Sequence, residues 1–240
     1  MRSRSILRLV GLLGACAIAS GCGGAFRTPY PAKAYFLVDP GHPADGAAAV
    51  ARSAGTPAAA SLAVDDPPAA RRLDAVLKVR QFRVLPPYDG TAFVYKTGPN
   101  QYSSDYYSAF LMPSDRMLSV DVRDWLARSG LFTHVVDAGS SVRARYSLEG
   151  NLTGFYADFT NRRAPRAVVE AQFSLLSDGD AGPQIMFSQT YSTSAPVAGA
   201  GTAGIVDAWN RACRTMLEEL TADLERKALA ARDVTKSGPG

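Results

Sequence analysis

The chain of 240 residues predicts an α+β fold, with two amphipathic helices packed on a mixed, mostly antiparallel sheet. Three observations carry that expectation. The first is order, since strand-like runs, a helical stretch, more strand-like runs and a last helical stretch follow one another. The second is a pair of apolar stripes at helical spacing. Leu118, Val122, Trp125 and Leu126 form one, and Ile205, Trp209, Ala212, Met216, Leu220 and Leu224 form the other. The third is a set of three alternating segments between residues 146 and 194, separated only by short polar turns, which is the pattern of an antiparallel meander.

The first element is an address. Arg2, Arg4 and Arg8 precede an uncharged run from Leu9 to Ile18, and small residues close the segment. A basic start, a short apolar middle and a small-residue end describe a secretory signal over residues 1–21. The run falls short of the roughly 20 apolar residues that a spanning helix needs. Ala19-Ser20-Gly21 lead into Cys22, which resembles the lipobox of bacterial lipoproteins, where the cysteine thiol is acylated and the chain is cut just before it. Cys16, preceded by Leu13-Gly14-Ala15, matches the usual lipobox letters more closely, but cleavage there would leave a very short apolar core. Both sites stay open on the residues, with Cys22 favoured. Gly23 follows Cys22 where an inner-membrane retention signal would resemble Asp, which points to the periplasmic face of the outer membrane.

Residues 22–72 hold the anchor, a short strand at Ala34 to Val38, and an Ala/Gly/Pro-rich insertion from Gly41 to Arg72 that has no aromatic residue. From Leu73 the texture changes, and a domain over residues 73–230 begins. AVLKVRQFRVL reads as a strand ending at Pro86-Pro87, FVYKT as a second and QYSSDYYSAFLM as a third. Pro113-Ser114 opens a helix that Gly130 stops. FTHVVD, YSLEGNLTGFYADFT, RAVVEAQFSLLSD and QIMFSQTYSTS are strands. A final helix runs from Gly204 to about Leu229, and residues 231–240 are expected to be a disordered tail.

Composition removes several function classes. The formal charge is +4, and three arginines leave with the signal, so the mature chain is close to neutral. With no Lys/Arg run beyond Arg71-Arg72 and Arg162-Arg163, nucleic acid is not an expected partner. Of three cysteines, Cys22 would carry a lipid and Cys213 lies beside the apolar stripe of the last helix, so no disulfide framework is expected. His42 and His134 are too isolated for a metal set. Gly199, Gly201 and Gly204 spell G-x-G-x-x-G, but no strand follows to complete a dinucleotide site, so a flexible entry to the helix is expected. Glu149, Asp158 and Glu170 read as solvated strand positions. No catalytic constellation is evident, and no cofactor is expected beyond a covalent lipid, such as palmitate, on Cys22.

One stretch stands out. Between Phe93 and Phe110 lie six aromatic residues, with Tyr95, Tyr102, Tyr106 and Tyr107 carrying hydroxyl tips. Tyrosine-rich exposed strands suit contact with a partner or with lipid. These four tyrosines and Phe110 are therefore candidate partner-binding residues. The same residues are equally compatible with the aromatic edge of an ordinary core.

From FVYK to HVV, and again at Tyr146-Ser147-Leu148-Glu149-Gly150, the chain resembles the ABC-type transport auxiliary lipoproteins, relatives of the Pqi-system lipoprotein. The resemblance rests on Tyr95-Lys96, the aromatic strand, the helix led by Pro113, the link Ser129-Gly130-Leu131-Phe132, the early Tyr35-Phe36-Leu37 and the final helix. It departs at Lys96, where arginine is usual, at Phe110, where tryptophan is common, and at the insertion. The resemblance implies a non-catalytic subunit of an envelope lipid-transport system. Its partners would be an MCE-domain protein, the ABC permease and ATPase of that system, the membrane reached through the anchor, and further copies of the chain in a homo-oligomer. The alternative is a periplasmic scaffold lipoprotein, TolB-like or secretion-associated, with no transport role. A periplasmic hydrolase is a remote third reading.

Overall fold

A computed structural model describes residues 32–43, 73–179, 182–199 and 201–236, with side chains of the last helix described to Lys227. Cys16, Cys22 and most of the Ala/Pro-rich insertion lie outside the described residues. All described residues except Ala32 belong to one unit, Lys33–Gly240.

Among the described residues, nine strands and two long helices follow in the expected order. They are β1 (Ala34–Phe36), β2 (Leu73–Val79), β3 (Arg83–Val84), β4 (Ala92–Gly98), β5 (Gln101–Phe110), α1 (Ser114–Arg128), β6 (Phe132–Val136), β7 (Tyr146–Asp158), β8 (Arg166–Gly179), β9 (Gly182–Pro196) and α2 (Gly201–Lys236). The sheet is mixed, and the antiparallel pairings β7–β8 and β8–β9 form its long ladders, as the meander pattern predicts. The parallel pairings are short.

β7 is the spine. One edge carries β8 along its whole length, and the other is shared in turn by β2, β3 and β4. β2 and β3, expected as one strand, are a single line broken at Arg80–Phe82. Leu77 faces Tyr146, whereas Arg83 faces Asn151, so one extra residue is accommodated between them. The helix stabilises that break, because Ser119 Oγ accepts a hydrogen bond from the Phe82 amide at 2.9 Å. The Phe82 ring is swung over Gly150, where a Cβ would stand 2.5 Å from it. Glycine at 150 is thus set by close approach rather than by backbone angle.

Both helices line one face of the sheet and share one core. At its centre Trp209 stacks on Phe155 at 5.1 Å and meets the edge of Phe93 at 4.9 Å, with Phe110 at 5.3 Å. The stripes predicted from spacing are the buried ones, from Leu118 to Leu126 on α1 and from Ile205 to Leu224 on α2. Trp125 Nε1 donates to Thr221 Oγ1 at 3.0 Å and ties the two helices together. Cys213 is fully buried, and burial first, then the carboxylate of Asp121, pushes its thiol well above the usual range.

α2 continues to Lys236, past the end expected near Leu229 and into the residues expected to form the tail. The sequence there, KALAARDVTK, holds good helix formers and no glycine or proline, so nothing local stops it. At the other end, Gly199 and Gly201 have φ of +83° and +80°, and a Cβ on Gly204 would stand 2.3 Å from the Ala198 carbonyl oxygen. The G-x-G-x-x-G letters serve the turn into this helix.

The chain after β1 crosses both helices. The Val38 amide approaches Met117 Sδ at 3.4 Å, the Asp39 amide donates to Asn210 Oδ1 at 2.9 Å, and Arg214 Nε donates to the Pro40 carbonyl at 2.7 Å. Near this strap lies Asp121, whose Oδ2 is buried without a hydrogen-bond partner among the described residues. Burial first, then Asp39 and Asp124, push its carboxyl up to about 7, against 3.8 in the unfolded chain, with Arg128 acting in the other direction. Between those values the native state holds a proton that the unfolded state has lost, so stability falls as pH rises and the penalty is complete above about 7. Asp121→Asn is therefore expected to match the parent near pH 4 and to exceed it by about 2 kcal/mol at pH 8, roughly half of what the shift alone would give. Urea unfolding at the two pH values checks this. An equal gain at both would place the effect outside ionisation.

Candidate functional site

The β4–β5 hairpin carries the six aromatic residues, and its register decides what each one does. Val94 faces Ser104, but Ala92 faces Ala109, so Asp105–Ser108 stand out of the ladder as an enlarged bulge. Asp105 pins it. One carboxylate oxygen accepts from the amides of Tyr107 (2.7 Å) and Ser108 (3.0 Å), and the other from the Tyr95 hydroxyl at 2.6 Å. Burial opposes the charge on Asp105, but these hydrogen bonds outweigh it and hold the carboxyl below its usual value. Burial and the Asp105 carboxylate together raise the Tyr95 hydroxyl well above its usual range, so it stays a donor.

The expected aromatic set is thus divided. Phe110 is 2% exposed and packs at 4.4 Å on Phe93, so its ring belongs to the core and is not available to a partner. Tyr95 is half-buried, edge-on to Phe159 at 5.6 Å, and props the bulge from behind. Tyr106 and Tyr107 occupy the tip of the bulge, edge to face at 5.1 Å, and Tyr106 is 71% exposed.

β1 extends this surface. Among the described strands it pairs with β5 alone, setting Tyr35 opposite Ala109, and Tyr35 and Leu37 are exposed. The Lys33 ammonium lies 5.8 Å from the ring centres of both Tyr35 and Tyr106, so these rings are neighbours. The result is an edge strand and a pinned bulge that present tyrosine and leucine to solvent. Exposed apolar and aromatic groups gathered in this way mark contact surfaces.

Tyr102 belongs to a different group. It meets Tyr156 edge-on at 5.8 Å, Tyr156 stacks on Tyr88 at 5.9 Å, and the Lys96 ammonium lies 5.6 Å from the Tyr156 ring centre. Burial first, then Glu170 and Tyr102, push the Tyr156 hydroxyl up to about 12. Tyr88 and Tyr156 escaped sequence reasoning. The register shift between Leu152 and Gly154 reverses the alternation on β7, so counting from Tyr146 assigns Tyr156 to the wrong face.

The three carboxylates noted on strands are engaged separately. Glu149 pairs with Arg80 at 3.6 Å, Asp158 accepts from the Thr160 amide at 2.8 Å, and Glu170 accepts from Ser192 Oγ at 3.3 Å. Among the described residues no three metal-ligating side chains converge.

The family model of the ABC-type transport auxiliary lipoprotein component matches residues 56–221. No curated protein matches the sequence. Among solved structures, the chain is similar to protein XCC0632 from Xanthomonas campestris, described as a DUF330 member, at 18% identity and a TM-score of 0.62, covering 70% of this chain and 93% of that one. It is also similar to an uncharacterized protein at 19% identity and a TM-score of 0.50, covering 65% and 92% respectively. At these identities the likeness is one of fold.

Proposed function

Because the chain belongs to the ABC-type transport auxiliary lipoprotein family, we propose that it is a non-catalytic subunit of an envelope lipid-transport system. In this reading Cys22 anchors it to the periplasmic face of the outer membrane, and the folded domain docks an MCE-domain protein that connects to the ABC permease and ATPase. The observation that carries the docking role is the bulge pinned by Asp105. Three hydrogen bonds hold Tyr106 and Tyr107 outward beside the Tyr35 edge strand, although neither ring contributes to the core. Rigid aromatic side chains held in solvent lose little entropy on binding and supply much contact area.

The test is affinity purification of the intact lipoprotein from detergent-solubilised envelopes, with co-purifying proteins identified by mass spectrometry. An MCE-domain protein with its permease and ATPase is the expected recovery. Tyr106→Ala together with Tyr107→Ala is expected to lower that recovery about tenfold, the size of one modest hot spot, while the far-ultraviolet spectrum is unchanged. Recovery of Tol, secretion or wall-associated proteins alone would move the assignment to a scaffold lipoprotein.

A further inference from the structure

A cleft of about 560 Å³ opens where the first turn of α2 meets the end of the sheet, behind the tyrosine bulge. Its walls are Tyr95, Phe159, Pro165, Val197 and Ile205, with Arg162 at the rim. The hydroxyls around it are already satisfied elsewhere. Tyr95 donates to Asp105, Thr97 to the Gln101 carbonyl, and Thr202 shares a hydrogen bond with Ser108 at 3.2 Å. With their polar tips engaged, these side chains offer mainly carbon to the cleft. Arg162 differs, because its guanidinium is exposed and makes no hydrogen bond or ion pair among the described residues. The rim also lies at the positive end of α2.

We propose that this cleft binds one acyl chain bearing an anionic head, with the chain against Phe159, Val197 and Ile205 and the head at Arg162. The volume lies in the range of small-molecule sites, and apolar walls with a single unpaired cation complement that ligand class. An anionic head gains a charge-assisted contact with the guanidinium that a neutral ligand lacks, and a compact polar anion would leave the walls wet. The inference rests on the lipid-transport reading for its biological sense, and it assigns the cleft a substrate class. The acyl chains of a Cys22 anchor would be amide- or ester-linked without an anion, so dependence on Arg162 separates a free lipid from the anchor.

The experiment uses the full-length lipoprotein in phosphatidylcholine vesicles at pH 8, doped with a diazirine-bearing palmitic acid or, in parallel, with its methyl ester. After irradiation the labelled peptides are mapped by mass spectrometry. Label from the acid is expected on residues 159–165 and 197–205. Ile205→Trp, which fills the cleft, is expected to cut it about fivefold, and Val197→Trp serves if the first variant melts early. Arg162→Glu is expected to cut labelling by the acid about fivefold and labelling by the ester less than about twofold, the first being roughly the effect of one lost charge-assisted contact. Label confined to other surfaces, or undiminished when the cleft is filled, overturns the site. Equal losses of acid and ester label in Arg162→Glu overturn the anionic head. Neither result bears on recovery of the MCE protein, and absence of that protein alongside cleft labelling would sink the transport reading while leaving the site.

Discussion

Trp209→Ala is expected to lower the unfolding free energy by about 3–5 kcal/mol, the usual loss for a fully buried tryptophan. Trp209 is 0% exposed and is surrounded by Phe93, Phe110 and Phe155, with centroids between 4.9 and 5.3 Å away. It bridges α2 to β4, β5 and β7, so its removal opens a void among rings that belong to three strands. Rings fixed by their own strands cannot close on the gap, which places the loss toward the upper end. The indole Nε1 has no acceptor among the described residues, so the cost is one of packing and not of a broken hydrogen bond. Trp209→Phe, which keeps a ring in place, is expected to cost far less, about 1–2 kcal/mol. Urea unfolding of the parent and both variants decides the matter. Equal losses for alanine and phenylalanine would show that the indole is not packed as described, and a loss below about 1 kcal/mol for alanine would show that the core collapses freely.

The second large effect concerns location. Cys22→Ser is expected to move the protein from the membrane fraction to the soluble periplasmic fraction almost completely. Each buried methylene contributes about 0.8 kcal/mol, so one acyl chain holds a protein only reversibly, while two or three make release negligible on a cellular timescale. Serine retains the size of the side chain but removes the thiolate nucleophile that acylation requires. No described helix is long and apolar enough to cross a membrane in the anchor's place. Fractionation of cells with a sodium carbonate wash provides the measurement, and Cys16→Ser is the control. If Cys16→Ser releases the protein and Cys22→Ser does not, the anchor is Cys16. Envelope function that survives in an unacylated, soluble form would count against anchoring as part of the mechanism.

Local pattern made much of the fold legible. The stripes of α1 and α2 were readable because burial repeats every three or four residues whatever the helix packs against. β7, β8 and β9 were readable because each alternates and short polar turns separate them. The break between β2 and β3 was not, since it arises from a parallel register with β7 more than 60 residues away and from a hydrogen bond supplied by Ser119. The candidate site was half legible. The density of aromatics between Phe93 and Phe110 marked the right hairpin, but Phe110 and Tyr106 look alike in composition. Only the bulge separates them, turning one into the core and the other to solvent.

Legible in the amino-acid order is therefore whatever depends on neighbours along the chain. That comprises the basic and apolar leader with its candidate lipidated cysteine, the order and type of the elements, the apolar faces of the helices and the concentration of tyrosine on one hairpin. The order of short motifs also sufficed to recognise the family. The tertiary structure decided the rest: the sharing of one edge of β7 among three strands, the pinning of the bulge by Asp105, the grouping of Tyr88 and Tyr156 with Tyr102, and the cleft beside Arg162. Each of these depends on register or on contact between distant segments. A one-residue shift reverses which face a strand side chain occupies, and hydrophobic periodicity carries no record of where such shifts occur.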